Sequence, residues 1–128
     1  MYRIVSKEML TPTICRMKVE ASRLASAALP GQFLIVRADE QGERIPLTIS
    51  DFDKDAGTVT IVTQKIGAST SEICSYEEGD SFSDVVGPLG IPSDFTEMSD
   101  EELDGKRYVF IAGGVGTAPV YPQVKWLH

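Results

Sequence analysis

Histidine and cysteine are nearly missing from this chain, and basic charge is in short supply. Its 128 residues contain one histidine, the terminal His128, and two cysteines, Cys15 and Cys74. A catalytic dyad or triad built on histidine is therefore nearly excluded, and no His/Cys cluster has metal-ligand spacing. Two cysteines are too few for a disulfide framework; each reads as a small buried apolar residue in preference to a redox pair. Twelve Lys and Arg stand against nineteen Asp and Glu, for a formal charge of −7. That balance argues against nucleic acid or an anionic membrane as the main partner, since both demand basic surface. No apolar run approaches the roughly 18 residues of a membrane-spanning helix. "MYRIVSKEML" lacks a signal-peptide core, so the expected compartment is the cytoplasm.

What is present is an ordinary globular composition, 42% apolar and 24% charged, in a length that suits one core. Short runs rich in β-branched residues alternate with turn residues. "YRIVSKEML" and "TICRMKVEA" flank "TPT"; "GQFLIVRAD", "RIPLTISDF", "TVTIVTQKI" and "DSFSDVVGPLG" follow. "STSEICSYEEG" is the one good helix candidate among them, with Ser and Thr at its start and Gly79 at its end. The expected fold is mainly β: a six-stranded antiparallel Greek-key barrel with one short helix, over residues 1–104. "DFTEMSDEELDG" reads as a solvated connector.

Residues 105–128 differ in character. "RYVFIAGGVGTAPVYPQVKWLH" reads as an apolar strand over 107–112, a glycine turn and the start of a helix. This is the opening of an α/β nucleotide-binding unit, in which glycines let a backbone approach a pyrophosphate. Gly114, Gly116 and Thr117 are the candidate contacts, although Pro119 stands where a third glycine is usual. Any α/β turn could carry the same glycines. No later strands exist to complete a parallel sheet, so the sequence reads as truncated. Strand 107–112 is then expected to pack on its own barrel, to pair with a second copy as a homodimer, or to be disordered. Tyr121 and Trp126 on the last helix read as core.

"RIPLTI", "GASTSEI", "GPLG" and "AGGVGTAPVYP", in that order, resemble the ferredoxin–NADP reductase superfamily over essentially the whole chain. Within it the sequence is similar to the dihydroorotate dehydrogenase electron-transfer subunits. It is closer still to the flavoprotein subunits of NADH-dependent reduced ferredoxin:NADP oxidoreductase, also described as sulfide dehydrogenase. The resemblance implies FAD on the barrel, NAD(P) on the second domain of the full-length protein, and a [2Fe–2S] centre only beyond residue 128. It also implies a catalytic flavin or iron–sulfur partner subunit and ferredoxin or a similar acceptor. The alternative is a barrel adaptor that docks a catalytic partner without holding flavin.

The resemblance also assigns residues. Thr48 takes the family's hydroxyl position near flavin N5 or O4, Leu47 replaces its aromatic shelf with aliphatic contact, and Ile45 stands at its arginine position. Pro46 is tolerated if its edge faces the cofactor. Arg44 lies one residue early; it reaches the pyrophosphate if a bulge at Ile45–Pro46 re-aims it, and is otherwise an exposed strand-end arginine. Val62, Thr63 and Gln64 match positions that contact the adenosine and ribityl part, or form a buried strand end. Gly67, Ser69 and Thr70 match a phosphate-binding helix start, where the same residue types also serve as plain caps. Ser69 replaces a glycine there and narrows the room.

Overall fold

A computed structural model describes residues 2–128. Eight strands and four α-helices follow in the order β1 (Tyr2–Thr11), β2 (Ile14–Glu20), α1 (Ser22–Ala27), β3 (Phe33–Arg37), β4 (Arg44–Thr48), β5 (Asp51–Asp53), β6 (Thr58–Gln64), α2 (Ala68–Ser75), β7 (Ser81–Phe82), β8 (Asp84–Leu89), α3 (Asp100–Asp104) and α4 (Thr117–Leu127). All pairings are antiparallel. They form a five-stranded sheet, β5-β6-β2-β1-β7, and a three-stranded sheet, β4-β3-β8.

The mainly β, antiparallel expectation holds, but the hydrogen-bonded ladder does not close into one six-stranded barrel. Two short strands, β5 and β7, raise the count to eight, and β4 carries no ladder on its far side. Pro46 at the centre of β4 has no N–H to offer a second neighbour, which suits an edge. A single backbone bond from Ser50 N to the Thr60 carbonyl, 2.9 Å, ties the turn after β4 to the middle of β6.

The core follows the two-residue period of the strands. On β2, Cys15, Met17 and Val19 point inward while Arg16, Lys18 and Glu20 face out. Opposite them Val59, Ile61 and Thr63 of β6 are buried, as are Leu34 and Val36 of β3. Phe82, fully buried, stacks on Tyr76 with ring centroids 5.4 Å apart. Burial of a side chain this size contributes roughly 2 kcal/mol or more. Helix α1 was not foreseen; its start, Ala21, makes no side-chain cap, and it is held by burying Leu24 and Ala25. The acidic connector is exposed as expected, yet contains α3, started by the Ser99 hydroxyl accepting from Glu102 N.

Residues 107–112 form no strand. A strand exists only through its ladder, and among the described residues no strand pairs with this segment. Val109 and Ile111 are 78% and 91% exposed, while Tyr108 meets Phe95 edge-on at 6.4 Å between centroids. Helix α4 docks beyond it, through buried Pro122, the Lys125–Asp51 ion pair at 2.8 Å and a 3.2 Å bond from Ser93 Oγ to Gln123 Oε1.

Candidate functional site

The candidate residues gather at the two ends of β4. One end is the start of α2. Its first turn leaves free backbone N–H groups, the anion-favouring end of a helix, and a Cβ added at Gly67 would meet nothing within 4 Å. The Ser69 hydroxyl donates to the Glu43 carboxylate, which joins this helix start to the residue preceding β4. Thr70 is committed locally: its hydroxyl accepts from Ile66 N at 2.9 Å and Gly67 N at 3.0 Å. It acts here as the returning half of a capping box.

Along β4 the register with β3 is unbroken, from Arg37↔Arg44 to Phe33↔Thr48. No bulge interrupts Ile45–Pro46, so the re-aiming expected of Arg44 does not occur. None is needed for Arg44 to join Thr48: residues four apart on a regular strand share a face, and Pro46 lies between them on it. Arg44 is instead turned across the sheet to Asp84, 3.0 Å away. Ile45 and Leu47 face the other way, paired with buried Val36 and Leu34, and both pack half-buried on the core. Leu47 is therefore a core-side residue whose partial exposure is what remains for any shelf.

Just past the other end of β4, Ser50 and Asp51 border a cleft of about 540 Å³ that no residue of β4 itself lines. Its floor is the outward face of β2 and β6, with Ile14, Arg16, Lys18, Thr60 and Val62, and Ser50 and Asp51 at the side. Its roof is Gly114, Val115, Thr117, Ala118 and Tyr121. Gly114 has φ of +58° in the 3₁₀ turn Gly114–Gly116, a conformation that suits glycine. Gly116 is the residue before α4 and is not part of the lining.

Of the expected contacts, Val62, Gly114 and Thr117 thus meet at the cleft, and Arg44, Gly67, Ser69 and Thr70 lie at the other end. Pro46 and Thr48 mark the outward face between them. Gln64 is exposed at the end of β6, opposite Ile14. Thr63 is 1% exposed with its hydroxyl unpaired, so its side chain points into the core. Five residues of strand separate the two ends by about 17 Å.

Residues not anticipated also shape the site. Lys18 and Arg16, the latter paired with Glu8, bring positive charge to the cleft of an acidic chain. The period-two pattern Ile14-Arg16-Lys18 carried that signal. Asp51 holds Lys125, whose pKa is raised chiefly by that hydrogen bond. Tyr121 and Trp126, expected in the core, are 50% and 41% exposed. Tyr121 lines the cleft, with the Lys125 ammonium 5.9 Å from its ring centre.

No family model matches the chain. It is 57% identical over all 128 residues to an uncharacterized protein in the adh 3′ region of Clostridium beijerinckii, covering 43% of that protein. It is 37% identical over 124 residues to the dihydroorotate dehydrogenase B (NAD(+)) electron transfer subunit homolog of Thermotoga maritima, covering 42% of it. The chain thus spans less than half the length of these relatives. Among solved structures, that of NADH-dependent reduced ferredoxin-NADP oxidoreductase, studied for flavin-based electron bifurcation, matches 99% of the chain. The TM-score is 0.87, identity 35%, and 44% of that chain is covered. The ferredoxin-NADP+ reductase of Plasmodium falciparum with 2′P-AMP shares the fold alone, at TM-score 0.71, 17% identity and coverage of 98% of this chain and 51% of that one.

Proposed function

We propose that this chain, a homologue of dihydroorotate dehydrogenase electron transfer subunits with the ferredoxin–NADP reductase fold, is the FAD-holding part of an electron-transfer oxidoreductase. The observation that carries the reading is an open, proline-bearing strand edge flanked by a helix start, tied to it through Glu43 and Ser69, and by a 540 Å³ cleft that begins at Ser50 and Asp51. It lies in a chain that superposes on a flavin-bifurcation protein at 35% identity.

The residues fit the group. Space beside Gly67 and the free amides of α2 suit a diphosphate. The cleft offers apolar walls, Ile14, Val62, Val115 and Ala118, with hydroxyls of Ser50, Thr60 and Thr117, the mixture that planar cofactors use. Bound FAD would supply hydride acceptance and one-electron release. The protein's share is binding, orientation and exclusion of water. Helix α2 and Ser69 hold the diphosphate, with Arg44 on the same edge. Thr48 presents its hydroxyl on the outward face of β4, and Pro46 keeps that edge free of another strand. The Lys125–Asp51 pair fastens α4 so that Gly114–Thr117 closes the cleft.

In the same reading the barrel ends near residue 104 and residues 105–128 open the NAD(P) unit. A catalytic flavin or iron–sulfur subunit then receives the electrons, and ferredoxin or a similar carrier is the acceptor. The adaptor reading, docking without flavin, draws on one observation: the helix start is already engaged by Glu43 and by the Thr70 cap.

The test is the visible spectrum of purified protein, with chromatographic identification of released flavin. One equivalent of FAD, bound as purified or after addition, is expected. A colourless protein that gains no flavin signal on titration would defeat the FAD reading and leave the adaptor.

A further inference from the structure

Cys15 lies on β2 and Cys74 in the last turn of α2, 59 positions apart in sequence, and both side chains are buried, 0% and 2% exposed. Their sulfurs are 3.0 Å apart, the Cys15 thiol donating to Cys74 Sγ. The surroundings hold both in place. Cys15 is fixed by its ladder position opposite Thr63. Cys74 Sγ lies 3.6 Å from the Thr63 carbonyl, and the Lys7 ammonium, itself largely buried, binds the Cys74 carbonyl at 2.6 Å. A lysine on a terminal helical carbonyl also complements the negative end of the helix.

We propose that Cys15 and Cys74 are an oxidation site, a dithiol that a hydroperoxide converts into an intrachain disulfide stapling α2 to β2. The link needs about 1 Å of approach, to the roughly 2.05 Å of a disulfide. In the first step one sulfur attacks a peroxide oxygen; the O–O bond breaks, an alcohol (water from hydrogen peroxide) leaves, and a sulfenic acid forms. The second sulfur then displaces its oxygen, which departs as water. Two electrons pass from the sulfurs to the peroxide, and both thiol protons end in the oxygen products.

Burial, then the hydrogen bond to Cys74, pushes the Cys15 thiol up to about 12. Cys15 is thus protonated at neutral pH, while the thiolate is the nucleophile. Oxidation therefore follows transient opening of α2, a helix of eight residues, and its rate climbs with pH. The consequence is local: the helix that presents Gly67, Ser69 and Thr70 becomes covalently tied to the central sheet. This inference does not depend on whether the site takes FAD.

The test exposes the native full chain to hydrogen peroxide, then denatures it in iodoacetamide and measures intact and peptide masses. The expected product has lost two hydrogens, carries no label on Cys15 or Cys74, yields one linked peptide pair, and regains both labels after dithiothreitol. Its thermal midpoint equals or exceeds that of the reduced protein. Full labelling of both cysteines after oxidant, or their conversion to sulfinic acids, overturns the proposal. So does a linked form that melts lower, because the native geometry would then not accommodate the bond. Cys74→Ser should give no linked pair; the wild-type masses decide the matter if that variant fails to fold.

Discussion

Thr70 is where a structural role and a binding role can be separated. Its hydroxyl accepts two backbone N–H groups, from Ile66 and Gly67, at 2.9 and 3.0 Å. Thr70→Ala removes the one acceptor oxygen and both hydrogen bonds. The two amides are exposed, so water replaces much of what is lost and the upper end of the capping range does not apply. The expected cost is about 1 kcal/mol. That shifts the thermal midpoint by about 4 °C for a domain of this size. Thr70→Ser keeps the oxygen and should recover most of the loss. Urea unfolding followed by far-UV circular dichroism measures both variants, with the midpoint changing and the slope constant. FAD titration of the same two proteins then separates the roles. A capping residue transmits its effect through helix order, so Ser should restore affinity together with stability. If Thr70→Ala is as stable as wild type, or Thr70→Ser is as unstable as Thr70→Ala, the cap argued from these bonds is wrong.

Glu43→Gln should tighten FAD and ADP by a few-fold while leaving riboflavin unchanged, because it removes an anion from the helix start that a diphosphate would occupy; equal tightening of riboflavin in fluorescence titrations would refute the electrostatic reason. Gly31→Ala should cost about 2 kcal/mol or more in urea midpoint, since φ is +92° and its Cβ would lie 2.5 Å from Ser93 Oγ and 2.9 Å from Ser93 N; a neutral result would mean that this turn relaxes freely. The Lys125–Asp51 pair raises the folded-state pKa of Lys125. Its contribution is therefore fully present below the ordinary lysine value of about 10.4 and is lost as pH rises through the higher folded value. Lys125 is half exposed, so Lys125→Met should cost under about 1 kcal/mol at neutral pH, less in high salt, and nothing in strong alkali. A cost that grows above pH 10 would reverse that sign.

The strand β2 was readable because burial on one face imposes a period of two: Cys15-Met17-Val19 alternate with Arg16 and Lys18 and announce which side is inside. Helix α1 was not readable, because six residues of Ala, Ser, Arg and Leu without a side-chain cap carry too little local signal. Its stability comes from where Leu24 and Ala25 are pressed. The opposite failure occurred at 107–112. That run is rich in strand-forming residues, yet a strand is a relation between segments, and propensity cannot supply the partner.

The site divides along the same line. The exception made for Pro46 could be reasoned from chemistry, because the missing N–H belongs to the residue itself and demands an edge wherever it sits. Arg44 and Leu47 could not, because their directions depend on the register of β4 against β3. Matching the chain to a family motif by counting from Thr48 put Ile45 and Leu47 on the working face. The register instead gives them to Val36 and Leu34, and leaves Arg44, Pro46 and Thr48 outward. On the proposed reading, Arg44 and Thr48 are the polar residues of β4 that would face a ligand, and Arg44 would exchange Asp84 for it before its charge counts. Arg44→Ala should weaken diphosphate binding by less than a free arginine would, and Asp84→Asn should strengthen it. If Asp84→Asn leaves FAD affinity unchanged while Arg44→Ala abolishes it, the 3.0 Å pair does not restrain the arginine.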